Sequence, residues 1–277
     1  MFLEPLKTIS WAYQLHYYLC FRTRRCRRFF ISPAHCQALN DALSEICTRH
    51  DYHVLQTKTY PDHLRCLLSL RPGQSVSSVT QTIKANSARL LNAKFALTPP
   101  LWGRGSLARS VGRVRIGIVK EYIGQQCEHH GYDKRIRPPV SRYATDEPVI
   151  LKGAHALFDL NHHLVFATRY RRGVFDSTLG EALIRYWHQV ASARGFAIDR
   201  VTIVPDHAHL LVRIPPKMRL EDCALSLLNN GQHFVGRQAP ERLIRARIEQ
   251  LWQPSAYAGT TGKVTTGLVK AFLSQQE

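Results

Sequence analysis

The chain has 277 residues, with 38 Lys and Arg against 20 Asp and Glu, a formal net charge of +18. Hydrophobic residues make up 44%, enough for a buried core, which excludes wholesale disorder. No run approaches the roughly 18 apolar residues that a bilayer-crossing helix needs, and the N-terminus lacks the pattern of a secretory leader. A cytoplasmic protein is expected.

Seven cysteines at irregular spacing, with no CxxC pair, read as reduced thiols rather than a disulfide framework or a structural zinc site. The charge is uneven: residues 1–143 carry a net +14 and residues 144–277 a net +4. Such a surplus favours a polyanionic partner, with nucleic acid the usual one. No basic amphipathic helix or lipidation motif supports an acidic membrane instead.

The apolar, aromatic run Tyr17–Arg22 predicts a first strand, and the apolar spacing of Leu39, Leu43 and Ile46 a helix over Ala34–Arg49. Two short strands, His53–Tyr60 and Leu64–Leu70, flank a Pro-Asp-His segment. Helices over Val76–Leu91 and Arg113–His129 follow. Arg135 to Pro148, with Pro138, Pro139 and a polar run, reads as an exposed linker. The second half repeats the series: strand His163–Thr168, helix Gly180–Arg194, strands Ile198–Val204 and Ala208–Ile214, helices Leu220–Phe234 and Lys263–Gln276.

The landmarks recur in order. Leu15–Phe21 lines up with Leu160–Phe166, and the arginines of 22–28 with those of 169–172. Tyr60–His63 matches Val204–His207, Leu101–Gly112 matches Leu251–Gly262, and Val119–Gln126 matches Val269–Gln276. This is a tandem duplication, which places domains at 1–140 and 148–277. Each half reads as α+β, an antiparallel sheet covered by helices in a ferredoxin-like sandwich. Two copies in one chain make an intramolecular pseudo-dimer.

On a strand, positions i and i+2 share a face, so His207 and His209 stand side by side while Ala208 and Leu210 face the core. Two imidazoles make half of a divalent-metal site; the pair alone better suits two polar residues on a solvated strand face. Tyr122 and Gln126 share one helix face at i and i+4. A tyrosine beside a metal-polarised phosphate can attack phosphorus, and a glutamine carbonyl can complete the coordination. A core tyrosine with a satisfied hydroxyl is the plain alternative. Tyr257 is a competing nucleophile, ranked behind Tyr122; Tyr132 and Tyr143 have only proximity. His129 and His130 suit a helix end. Asp62 and Asp206 precede the histidines, either as acceptors that orient an imidazole or as turn residues.

His-Ala-His after Pro-Asp, Leu101-Trp102-x-x-Gly105, Ser110-Val111-Gly112 and Tyr122-Ile123-x-x-Gln126-x-x-His129-His130 together resemble the single-tyrosine HUH transposases of small insertion sequences, the IS200-like group. The REP-associated tyrosine transposases are similar more distantly. The resemblance covers both halves. It implies a metal-dependent endonuclease and strand transferase acting on single-stranded or hairpin DNA, in a cytoplasmic, nucleoid-associated setting. The histidine pair and Gln126 would hold Mg²⁺ or Mn²⁺, and Tyr122 would form a 5′-phosphotyrosine link. In the family, two subunits share each site, one giving histidines and the other the tyrosine helix; further self-association of this chain stays open.

The departures are reciprocal. The first half reads His63-Leu64-Arg65, and an arginine stays protonated and cannot ligate a metal. The second half has Phe272 where the first has Tyr122. A site assembled between halves retains His207, His209, Tyr122 and Gln126; its counterpart holds His63, Arg65 and Phe272 and is inert. Arg22, Arg24, Arg25, Arg27, Arg28, Arg104, Arg169, Arg171 and Arg172 are candidate DNA contacts, since guanidinium groups grip phosphates in forked geometry. The competing reading is a catalytically silent protein that grips hairpin or single-stranded nucleic acid, needing the arginines but not Tyr122.

Overall fold

A computed structural model describes residues 3–96, 100–126, 139–145 and 156–275. The chain runs β1 (Ser10–Gln14), β2 (His16–Arg22), α1 (Pro33–His50), β3 (His53–Tyr60), β4 (His63–Ser69), α2 (Val76–Phe95), β5 (Ser106–Val111), α3 (Ile116–Gly124) and β6 (Ser141–Ala144). It continues through β7 (Ala156–Asp159), β8 (Asn161–Thr168), α4 (Ser177–Arg194), β9 (Ala197–Val204), β10 (His207–Arg213), α5 (Leu220–Gln238), α6 (Pro240–Ala246), β11 (Trp252–Thr261) and α7 (Thr266–Gln275).

Side-chain alternation makes the strands. In β2, Tyr17, Leu19 and Phe21 point into the core, while His16, Tyr18 and Cys20 lie half-buried on the opposite face. Side-chain caps start the helices: Ser32, Ser75 and Asp176 accept from the backbone N–H three residues on. Gly195, at φ 77°, ends α4 in the left-handed conformation that glycine takes without strain. Helices α1 and α2 pack together on one side of the first sheet, and α4 and α5 on one side of the second.

The two sheets have the orders β3-β4-β2-β5-β7 and β1-β11-β8-β10-β9-β6. Both are antiparallel except at one edge each. There the halves exchange strands: β1 runs parallel to β11, and β7 parallel to β5. The exchange is reciprocal, Trp11 pairing with Ala256 and Ala156 with Ser106. The same reciprocity recurs where the chains cross. Gly112 bridges Thr265 while Gly262 bridges Arg115. Ser110 Oγ donates to Thr261 O and Thr260 Oγ1 to Val111 O, both at 2.6 Å. Tyr17 and His162, equivalent positions, meet at 2.8 Å between Oη and Nε2. Mutual contacts of this kind are the signature of a two-fold arrangement, here within one chain.

Several elements differ from the sequence reading. Strands β1, β5, β7 and β11 and the short helix α6 were not anticipated. Nor was β6, which lies in the stretch read as an exposed linker. It pairs antiparallel with β9 as the last strand of the sheet, and Ser141 is buried with its hydroxyl donating to Ser177 O. A polar edge strand is held by backbone pairing, so its composition resembles a loop. The last helix of each half starts three residues later than its spacing predicts, because Gly112–Arg115 and Gly262–Thr265 are committed to the crossing bridges.

The crossing delivers each terminal helix to the other half's sheet. Val119 and Ile123 of α3 pack on Leu211 of β10, and Thr202 of β9 donates to Ile123 O at 2.6 Å. Lys120 Nζ lies 2.9 Å from Oδ2 of the buried Asp199. In mirror fashion, Val269 and Leu273 of α7 pack on Leu67 and Val111 of the first half. Lys120→Met would strand the Asp199 carboxylate without its counter-charge. A loss of about 2–3 kcal/mol is expected, read as a lower urea midpoint; an unmoved midpoint would mean that α3 docks without the pair.

Candidate active site between the two halves

Strand β10 is buried throughout its first six residues. Ala208, Leu210 and Val212 face the helices, while His207, His209 and Leu211 face α3. The histidine pair is therefore not on a solvated strand face: His207 is 1% and His209 4% exposed. Tyr122, 37% exposed, stands over them from the other half. Its ring meets His209 edge-on at 5.5 Å between centroids, and the rings of His207 and His209 are 5.0 Å apart. A cleft of about 610 Å³ opens here, lined by Val114, Ile118, Val119 and Tyr122 of the first half. His163, Val165, Arg171, His207, His209 and Tyr257 of the second half complete it.

Each histidine is held through Nδ1. Asp206 Oδ1 lies 2.6 Å from His207 Nδ1, and the other oxygen of Asp206 takes Arg171 Nε at 2.9 Å. Burial alone would raise the Asp206 pKa. The hydrogen bond from His207 and the positive charges of His207 and Arg171 outweigh it and hold the carboxyl below its usual range. His209 Nδ1 lies 3.1 Å from Nε2 of His163. Burial pushes the pKa of His163 down to about 4, so that ring is neutral at pH 7. Two imidazoles anchored in this way suit a divalent cation with mixed N and O ligands. Among the described residues no third His, Cys, Asp or Glu joins them as a metal-holding group.

Gln126 does not line the cleft. Helix α3 ends at Gly124, and the buried Gln126 side chain turns back so that Nε2 donates to Tyr122 O at 2.7 Å. Gln125, at φ −105° and ψ 23°, breaks α3 between Tyr122 and Gln126, although residue 126 is itself helical. His129, His130, Tyr132 and Gln276 lie outside the described residues.

The arginine clusters form matching 3-10 turns, Arg24–Cys26 and Arg169–Arg171, each with two successive non-glycine residues at positive φ. A threonine ties each turn to the Pro-Asp-His segment. Thr23 Oγ1 donates to Arg27 O at 2.7 Å and Asp62 O at 3.1 Å; Thr168 Oγ1 donates to Arg172 O at 2.6 Å and Asp206 O at 3.0 Å. Arg22, Arg24, Arg25, Arg27, Arg28, Arg104, Arg171 and Arg172 are exposed, and Arg169 is half-buried. Arg171 has a second engagement that sequence reading did not assign, the ion pair to Asp206. His163 was missed too, because its partner comes from the neighbouring strand and no spacing within β8 points to it.

Across the pseudo-dyad the corresponding place is filled differently. His63 keeps its carboxylate, with Asp62 Oδ1 2.6 Å from Nδ1. Arg65 occupies the second histidine's position, its guanidinium 4.5 Å from the Tyr60 ring and 5.1 Å from the Phe272 ring. Tyr60 also stacks on His63 at 4.3 Å. A cation clasped by two rings is a stable arrangement, but it puts a permanent positive charge where the first site has an imidazole.

Comparison with known proteins fits this architecture. The family model described as "Transposase IS200 like" matches residues 11–126 and again 156–276. The ISDra2 transposase TnpA of Deinococcus radiodurans is 22% identical over 45% of this chain and 89% of its own length. The transposase for insertion sequence element IS200 of Salmonella typhimurium is 25% identical over 44% of this chain and 80% of its own. A solved structure from Deinococcus radiodurans R1, described as a transposase, is 23% identical over 42% of this chain and 92% of its own, with a TM-score of 0.35. No described helix is long and apolar enough to cross a membrane. The chain belongs to the IS200-like transposase family and carries that family's domain twice in tandem.

Proposed function

We propose that this chain, taken as units 1–140 and 148–277, is a single-stranded DNA endonuclease and strand transferase with one working site, shared between its halves. Family membership implies a DNA substrate; the single-stranded or hairpin form, the divalent cation and the covalent intermediate belong to this proposal. One observation carries it. Tyr122 of the first half lies edge-on to His209 of the second, beside His207, in an open cleft, while Phe272 and Arg65 stand in the equivalent place.

In this reading His207 and His209 would hold Mg²⁺ or Mn²⁺. Gln126, whose Nε2 donates to the Tyr122 carbonyl, would join through its amide oxygen. The chemistry such a cation would supply is polarisation of the scissile phosphate. Tyr122 Oη attacks phosphorus, the P–O3′ bond breaks, and the DNA 3′-oxygen leaves as a hydroxyl after taking up a proton. The 5′-phosphate stays on Tyr122. The tyrosine hydroxyl gives up its proton as the new P–O bond forms. Arg171 and the exposed arginines of both turns supply positive charge along the strand's path.

The test is a labelled single-stranded hairpin library incubated with Mn²⁺ and resolved on a denaturing protein gel. Wild type and His63→Ala are expected to form a covalent protein–DNA band, and His207→Ala to form none. A band that survives His207→Ala, or disappears in His63→Ala, would overturn the shared-site reading. If no protein forms the band while all retard the DNA on a native gel, the chain is a binding protein with a relic site.

A further inference from the structure

We propose that His163 is a positioning residue of this site: its Nε2 accepts the Nδ1–H of His209 and fixes the tautomer that leaves Nε2 of His209 as the ligating nitrogen. This rests on the metal-site reading above. The two nitrogens lie 3.1 Å apart, and the rings are 5.3 Å between centroids and nearly parallel, at 20°. His207 is held the same way, its Nδ1 on Asp206 at 2.6 Å. Each imidazole of the pair thus has its own orienting acceptor, a carboxylate for one and a buried neutral imidazole for the other. A ring nitrogen's partner decides which tautomer the other nitrogen presents.

His163 is itself boxed in. The Tyr122 ring is edge-on at 5.9 Å and the Tyr257 ring at 5.7 Å. Opposite it on β11 is Gly259, where a Cβ would lie 2.8 Å from Tyr257 Oη, so the glycine keeps the space that the tyrosine uses.

The first half supplies an internal control. Position 163 corresponds to Tyr18 and position 209 to Arg65, so both members of the imidazole pair are absent together. The other pair persists together: Asp62 and His63 keep their 2.6 Å contact. Residues that separate into intact pairs in this way behave as functional units. A histidine retained at 163 for packing alone would have no reason to disappear with its neighbour.

Two readouts on the full chain test this. In metal-free protein, long-range ¹H–¹⁵N spectra should report His209 as the Nδ1–H tautomer. His163→Phe, which keeps a ring of similar size, should convert it to a mixture, and His163→Gln, whose amide oxygen accepts, should restore it. Mn²⁺ affinity, followed by electron paramagnetic resonance of free Mn²⁺, should fall about 10- to 100-fold in His163→Phe and recover in His163→Gln. If His207→Ala loses Mn²⁺ but His163→Phe binds it like wild type with an unchanged His209 tautomer, the role of His163 is refuted and the metal site stands. If His207→Ala binds Mn²⁺ as wild type does, the metal-site reading fails and this inference falls with it.

Discussion

Tyr122→Phe is expected to lower single-stranded DNA cleavage by about 10⁴-fold or more, the scale seen when a covalent nucleophile is removed, and to eliminate the covalent adduct. The substitution keeps the aromatic ring and so keeps its edge contacts with His209 at 5.5 Å and His163 at 5.9 Å. Only the hydroxyl oxygen proposed as the nucleophile is lost. The chain already contains this change in its other half, where Phe272 fills the equivalent place with its ring 5.1 Å from the Arg65 guanidinium. Adding a hydroxyl there by Phe272→Tyr should therefore restore nothing, since Arg65 supplies no lone pair. Cleavage of end-labelled hairpins with Mn²⁺ checks both. A Tyr122→Phe protein that still formed the adduct would transfer the nucleophile's role to Tyr257, the other tyrosine lining the cleft.

Gly112→Ala is expected to cost about 3 kcal/mol or more. A Cβ at residue 112 would lie 2.1 Å from Thr260 O and 3.1 Å from the Thr261 Cα. Both are backbone atoms of the opposing half, so no side-chain rotation relieves the clash. Gly262 is its mirror, with a Cβ there 2.2 Å from Ser110 O. Since each position leads into a terminal helix, the clash would also disturb how α3 reaches the histidines. Thermal unfolding should show a melting point lower by roughly 6–12 °C, at about 2–4 °C per kcal/mol for a chain of this class. Gly117→Ala and Gly124→Ala, on α3, provide the contrast. A Cβ at either meets nothing within 4 Å, and alanine favours a helix by up to about 1 kcal/mol over glycine. Equal melting points for Gly112→Ala and Gly117→Ala would remove the crossing as a tight point of the fold.

Much of this was legible in the sequence because duplication makes each half a check on the other. The strand–helix–strand pair series stood out through alternation in Tyr17–Arg22 and helical spacing in Leu39, Leu43 and Ile46. The shared face of His207 and His209 follows from the two-residue period alone. Partner choice was not legible. Nothing in Ser10–Gln14 or Ala156–Asp159 says that each strand joins the other half's sheet, because pairing partners are set by tertiary geometry. The His163–His209 contact is diagonal across two strands, His163 lying opposite Leu211 and His209 opposite Val165. It emerges only from the register. Gln126 is the other case: the helical period holds up to Gly124, and a one-residue break at Gln125, which no spacing announces, falls between it and Tyr122.

The exchange of β1 and β7 between sheets has a further consequence for how the site is kept together. Two separate subunits that share a site lose it on dilution, since their association is bimolecular. Here the contributing halves are covalently joined, so assembly is intramolecular and governed by an effective concentration that does not change with the amount of protein. Activity per chain should then be constant down to the lowest concentrations at which it can be followed. The same covalent joining also separates the fates of the two copies. In a symmetric dimer every substitution appears twice and a lost histidine disables both sites; in this chain Arg65 and Phe272 each affect one place only, leaving Tyr122 with a partner.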